Sequence, residues 1–224
     1  MKYIKFTESR NTLWQINVLT KNKKSLEPEQ EPSDKNELFH WILTLAIAVI
    51  IALCVNRFVL VNAEIPSGSM ENTIMTGDRV FGNRLAYIFG EPKRFDIIIF
   101  RYPDDEKQLF IKRIIGLPGE TVEIHDGQIF IDGSKTPLKD VTTKEFMQGS
   151  FGPYTVPDNC YFVMGDNRAS SADSRYHQDD GDHGLVPIDN VVGVGLMRYW
   201  PLNRMSFLSS HHDVFKDVPA GKAQ

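Results

Sequence analysis

Residues 121–133 read TVEIHDGQIFIDG. Around Asp126-Gly127 the chain alternates, with Val122 and Ile124 before the dipeptide and Ile129 and Ile131 after it. Side chains of a strand point to opposite faces in turn, so this alternation describes two strands that each bury one face. Asp-Gly supplies the positive φ values that a two-residue hairpin turn requires. The stretch therefore predicts a β-hairpin. The same pattern spreads outward in RFDIIIFRY (94–102), LFIKRIIG (109–116), YFVMGD (161–166) and VVGVGLMRYW (191–200). Each run is short, rich in β-branched and aromatic residues, and bounded by Gly, Pro or Asp. No stretch beyond residue 75 has the period of a long amphipathic helix, and there is no internal repeat. The expected fold is mainly β, built of antiparallel sheets over residues 62–208.

A different pattern precedes this domain. WILTLAIAVIIALCV (41–55) contains Thr44 as its one polar residue, and FVLV follows after Asn56 and Arg57. Taken from Phe39 to Val61, a helix would be about 34 Å long, enough to cross a bilayer if Arg57 snorkels to the interface. Some 38 mostly polar residues come first, which is unlike a cleaved secretory signal. An uncleaved anchor over 39–61 is expected. Residues 1–24 hold Lys2, Lys5, Arg10, Lys21, Lys23 and Lys24 against Glu8, so the positive-inside rule puts the N-terminus in the cytoplasm. After Val61 the balance is 17 basic to 23 acidic residues. KNKKSLEPEQEPSDKNE (21–37) has the composition of a flexible linker. Residues 1–38 thus form a cytoplasmic segment and linker, and 209–224 a C-terminal tail.

The formal charge of -4 and the lack of a basic block in the domain give no electrostatic surface for nucleic acid. Cys54 lies in the apolar run and Cys160 stands alone, so no disulfide framework is indicated.

Chemistry enters at AEIPSGSMENTIMTGD (63–78). Pro, Ser and Gly form turns without any catalytic purpose, so Ser69 is open to either a turn role or a nucleophilic one. Lys112 interrupts the apolar run LFIKRIIG. It is either an edge residue or a lysine entering an apolar pocket, where burial would lower its pKa and let it accept a proton from a hydroxyl. In a regular strand at most one of Lys112 and Arg113 would face the core. No His occurs in residues 62–124, so Ser-His chemistry has little material near Ser69.

PSGSM (66–70), GDRVFGNR (77–84), IKRIIGLPGE (111–120) and GDNRASSADSR (165–175), in this order behind an apolar anchor, resemble the bacterial type I signal peptidases. These are membrane-anchored Ser/Lys proteases that remove signal peptides. The resemblance spans residues 40–203 and implies a signal-peptidase-like β domain on the extracytoplasmic side of the cell membrane. It implies Ser69 as nucleophile and Lys112 as general base, with the Ser69 N–H and the Ser67 hydroxyl as oxyanion hole. Ser171 would orient the lysine, supported by Asp173 and Arg175. Ile65, Pro66, Met70, Ile74 and Ile111 would line the pocket for the residue before the cut. Implied substrates are signal peptides of exported preproteins ending in an Ala-X-Ala-like pattern, cleaved at the bilayer surface near the export channel. No cofactor or metal is called for. Ser69 follows Val61 by eight residues, which limits its distance from the end of the apolar run to about 29 Å.

Several departures accompany the match, among them Ser170 where the family often has Asn. Asn72 stands where the family usually has Pro, and Ile74 where it has Leu. YHQDDGDHGLVP (176–187) is more acidic than the usual connection, and its His and Asp residues suit a solvent loop as well as a metal site. A self-cleaving repressor-like Ser/Lys peptidase would instead carry a DNA-binding segment in place of the anchor. A silent membrane-anchored binding module would not need Ser67, Ser69, Lys112 and Ser171 together.

Overall fold

A computed structural model describes residues 34–88, 90–103, 105–138, 147, 149–176 and 184–211. The expectations for residues 1–33, for most of the acidic 176–187 stretch and for the tail beyond 211 lie outside the described residues. The chain divides into two compact units, Met1–Ile51 and Ala52–Gln224.

Helix α1, Asp34–Cys54, continues as a π-helical turn over Val55–Val59. The span Asn36–Val59 has a mean hydropathy of 2.6 in its most apolar window and buries none of it within the protein. Trp41, Ile42, Leu45, Ile50 and Leu53 are all exposed, so the helix is apolar on every side. Such a helix is stable in lipid, where its backbone is self-satisfied and its side chains meet acyl chains. It anchors the chain in a membrane. The helical run stops two residues short of the expected Val61, because Val61 points into a β core.

The strands are β1 (Leu60–Glu64), β2 (Arg79–Asn83), β3 (Ile97–Tyr102), β4 (Asp105–Gly116), β5 (Thr121–His125), β6 (Gln128–Ile131), β7 (Phe151–Thr155), β8 (Cys160–Met164), β9 (Val186–Pro187), β10 (Val191–Trp200) and β11 (Ser206–Phe207). The larger sheet runs β1-β2-β10-β3-β4-β8-β9, with β11 on β10, and the smaller runs β6-β5-β7. All these pairings are antiparallel. The β5–β6 hairpin closes through Asp126 and Gly127 at φ 48° and 75°, the left-handed pair that the dipeptide was expected to supply.

The run IIIF of β3 does not alternate because both faces of the strand are covered. Ile97 and Ile99 join one core with Val61, Ile65, Met70, Ile74, Val80 and Ile111. Ile98 and Phe100 join another with Ile114, Tyr161 and Val163. Its neighbour β4 is likewise buried from Ile111 to Gly116. Lys112 and Arg113 are therefore both buried, where a half-exposed strand would have hidden only one. Register places Lys112 opposite Ile98 and Arg113 opposite Ile97.

Candidate active site

Ser69 lies in a single 3-10 turn, Gly68–Met70, entered from an extended Ser67. The loop carrying it is closed at its base, where the Ile65 N–H donates to the Asp78 carbonyl at 3.0 Å and the Gly77 N–H to the Ile65 carbonyl at 2.8 Å. The buried Asp78 carboxylate accepts the Met75 N–H at 2.8 Å and pairs with Arg198 and Arg204. Asn72 takes a φ of 86° at the crest of this loop. Asn is among the few side chains that enter the left-handed region readily.

Strand β4 delivers Lys112 from 43 residues away, with Nζ 2.5 Å from Ser69 Oγ. The lysine is buried, and the loss of hydration pushes its pKa down to about 8. Asp173 and Asp166 pull the value up, and Arg175 pushes it down, but desolvation is the largest influence. A buried amine with this pKa has an accessible neutral form, and at 2.5 Å that form can accept the Ser69 hydroxyl proton. Ser67 Oγ lies 3.4 Å from Ser69 Oγ on the exposed side of the turn.

Residues 165–175 pack behind the pair. A Cβ at Gly165 would collide with the Ser69 carbonyl oxygen and with the Ser171 hydroxyl, so the close approach of this loop needs glycine. Asp166 receives Arg113 Nε at 2.8 Å and Arg113 Nη2 at 2.7 Å, both side chains being fully buried. The Thr73 hydroxyl donates to the same carboxylate at 2.5 Å, tying the nucleophile loop to it. Arg113 also donates to the Phe95 carbonyl at 2.8 Å and lies over the Phe95 ring. Asp173 and Arg175 form a second fork, with bonds of 2.8 and 2.9 Å, and Asp173 accepts the Gly165 N–H at 3.1 Å. Arg175 further donates to the Arg168 carbonyl at 2.8 Å.

The Ser171 hydroxyl is buried and makes no hydrogen bond among the described residues, to Lys112 or to any other group. Of the residues expected to line a pocket, Ile65, Met70, Ile74 and Ile111 sit in one hydrophobic core, and Met70 and Ile74 have no exposed surface. Pro66 is exposed. Sequence reading did not find the Arg113–Asp166 pair or the Asp78 cluster. A basic residue interrupting an apolar strand was the available signal for Arg113. Among the described residues no group of His, Cys, Asp and Glu is arranged to hold a metal ion.

The sequence profile of the family described as "Signal peptidase, peptidase S26" matches residues 38–200. A signal peptidase I of Leptolyngbya laminosa is 36% identical over 185 residues, covering 80% of this chain and 87% of that protein. The signal peptidase I of Bacillus licheniformis is 37% identical, covering 79% of this chain and 96% of its own. A crystal structure of a signal peptidase I from Enterococcus faecalis V583 is 37% identical, covers 47% of this chain and 97% of that one, and overlaps at a TM-score of 0.39, too low to bear on the fold. The profile match takes in the anchor, Ser69, Lys112 and the loop behind them, and with these identities it shows that the chain belongs to the signal peptidase I family, peptidase S26, a family of serine endopeptidases.

Proposed function

We propose that the protein cleaves signal peptides from exported preproteins after an Ala-X-Ala-like site, with Ser69 as nucleophile and Lys112 as general base. The observation that carries this reading is the 2.5 Å approach of a buried, pKa-depressed lysine to a serine hydroxyl. The neutral amine takes the Ser69 proton as Oγ attacks the scissile carbonyl. It returns that proton to the leaving amine, and water then hydrolyses the acyl-enzyme by the same route. The Ser69 N–H and the Ser67 hydroxyl stabilise the oxyanion, which needs donors already in place.

Ser171 is assigned as the orienting partner of Lys112: its buried hydroxyl, bonded to no group among the described residues, is left to turn to the amine when substrate is bound. Asp173 and Arg175 hold the backbone of its loop. Ile65 and Ile111, beside Pro66, shape the shallow pocket for Ala from beneath, with Met70 and Ile74 packed below them. Residues 1–38 lie in the cytoplasm, the anchor runs from 39 to 59, the extracytoplasmic catalytic domain begins with β1 at Leu60 and runs to 208, and 209–224 form the tail. Substrates meet the enzyme at the bilayer surface, beside the export channel, where shared confinement raises their effective concentration.

The test is turnover of a preprotein or peptide containing an Ala-X-Ala junction by full-length enzyme in detergent micelles. Ser69→Ala and Lys112→Ala are expected to abolish it. Turnover near that of the parent in either folded variant would sink the dyad.

A further inference from the structure

The loop behind Ser69 reaches past the dyad to the backbone of the nucleophile turn. The Asn167 side-chain amide donates to the Gly68 carbonyl at 3.0 Å, and the Asn167 backbone N–H donates to the Ser69 carbonyl at 3.1 Å. A carbonyl only accepts, so the amide nitrogen is the Asn167 atom that faces Gly68. The Gly68 oxygen also receives the Glu71 N–H at 3.0 Å. The Gly68–Ser69 peptide bond is trans, and in a trans peptide the carbonyl and the N–H point in opposite directions. Whatever fixes the Gly68 oxygen on one side fixes the Ser69 N–H on the other.

Asn167 is itself held firmly. Its neighbour Asp166 is locked by Arg113 and Thr73, and the Gly165 N–H is bound by Asp173. The Ser170 N–H closes a turn onto the Asn167 carbonyl at 3.1 Å.

We infer that Asn167 is a positioning residue for the oxyanion site, clamping the Gly68–Ser69 peptide plane so that the Ser69 N–H is aimed before substrate arrives. The inference rests on the assignment of Ser69 as nucleophile. Two donors on the Gly68 oxygen also polarise the peptide group and make its N–H a stronger donor. Reorganisation at the moment of reaction is thereby avoided, and this preorganisation is the source of oxyanion stabilisation. The clamp is silent in the ground state, where the substrate carbonyl carries little charge.

Asn167→Ala and Asn167→Asp are compared with the parent as full-length chains in detergent. The second variant keeps the side-chain shape but turns an acceptor toward the Gly68 oxygen. Folding is followed by circular dichroism and thermal melting. A loss of roughly ten- to hundredfold in kcat is expected, with KM within about twofold. In Asn167→Ala the alkaline-rising limb of the pH profile stays where it is, since Lys112 gains no charged neighbour, whereas the new carboxylate of Asn167→Asp moves it upward as Asp166 and Asp173 already do.

A peptide aldehyde of the same sequence supplies the sharper readout. Ser69 Oγ bonds to the aldehyde carbon, the hydroxyl proton passes to Lys112, and the former carbonyl oxygen takes the negative charge. Its inhibition should weaken by the same factor as kcat. The uncleaved peptide should bind Ser69→Ala and Ser69→Ala/Asn167→Ala equally well. Parent-like kcat in a folded Asn167 variant overturns the inference. So does a fall in ground-state peptide binding that matches the fall in kcat, or a shifted pH limb in Asn167→Ala. Melting of both variants at the assay temperature also overturns it, because the residue would then be a structural support. If Ser69→Ala retains turnover, the nucleophile assignment has failed instead.

Discussion

Raising the pH from 7 to 9 should increase kcat/KM for an Ala-X-Ala peptide about tenfold. Lys112 sits in a buried position where lost hydration lowers its pKa to about 8. Asp173 and Asp166 restrain that fall by favouring the ammonium, and Arg175 adds to it. With this value, about a tenth of the enzyme holds a neutral amine at pH 7 and about nine tenths at pH 9. The proposed base works only in its neutral form, so the rate follows that fraction. A lysine left in water would titrate near pH 10.4 and give a limb more than two units higher. The assay is a fluorogenic peptide with no ionisable groups between pH 6 and 10, followed at substrate concentrations far below KM so that the free enzyme is reported. A profile flat between pH 7 and 9, or one that falls with rising pH, would refute the assignment of Lys112 as base. A limb near pH 10 would refute the burial argument while leaving the base in place.

The same burial has a stability consequence. Lys112→Met should stabilise the domain at pH 7 by up to roughly 3 kcal/mol in urea unfolding, because about 2.5 pKa units of penalty on the ammonium are removed. Below pH 8 both states of the parent are protonated and the penalty is complete. Between about 8 and 10.5 the unfolded chain binds more protons, so the parent gains stability with rising pH and the variant's advantage fades. Asp166→Ala should cost about 3–5 kcal/mol in the same experiment by leaving Arg113 charged and alone in the core. The double variant Arg113→Met/Asp166→Leu should recover much of that loss. Gly165→Ala should reduce kcat by at least tenfold in a chain that still binds the aldehyde weakly, since the added methyl displaces the Ser69 carbonyl or the Ser171 hydroxyl.

Much of the β domain was legible because its strands alternate or are continuously β-branched. The Asp126-Gly127 turn was read from two residues, as only its φ values mattered. Strand β1 was hidden because LVNAE begins as the last apolar residues of FVLV, and periodicity cannot separate the end of an anchor from the start of a buried strand. Strand β7 was hidden by Gly152 and Pro153, which signal a break in most contexts. Ser69 and Lys112 were recognised through motif order, not local pattern. The structure brings them together through the β3–β4 pairing and the loop ahead of β2. Arg113 and Asp166 meet across 53 residues with no spacing rule to announce them. Asn167 acts on backbone atoms, which carry no residue-specific signal. The buried, unpartnered Ser171 hydroxyl could be found only once its surroundings were filled in.

The left-handed Asn72 bears on how this enzyme can be altered. Proline fixes φ near −65°, about 150° from the value found here, so installing the proline that the family resemblance leads one to expect would be a lesion rather than a repair. The damage would pass to Thr73, whose hydroxyl rests on Asp166, and from Asp166 to the arginine beside Lys112 in the chain. The chain ties this loop down without a proline ring, through Thr73 on Asp166 and the Met75 N–H on Asp78. Redesign toward proline would have to exchange the whole 70–78 segment as one block, while single changes at Asn72 are limited to residues that accept a positive φ, glycine first among them.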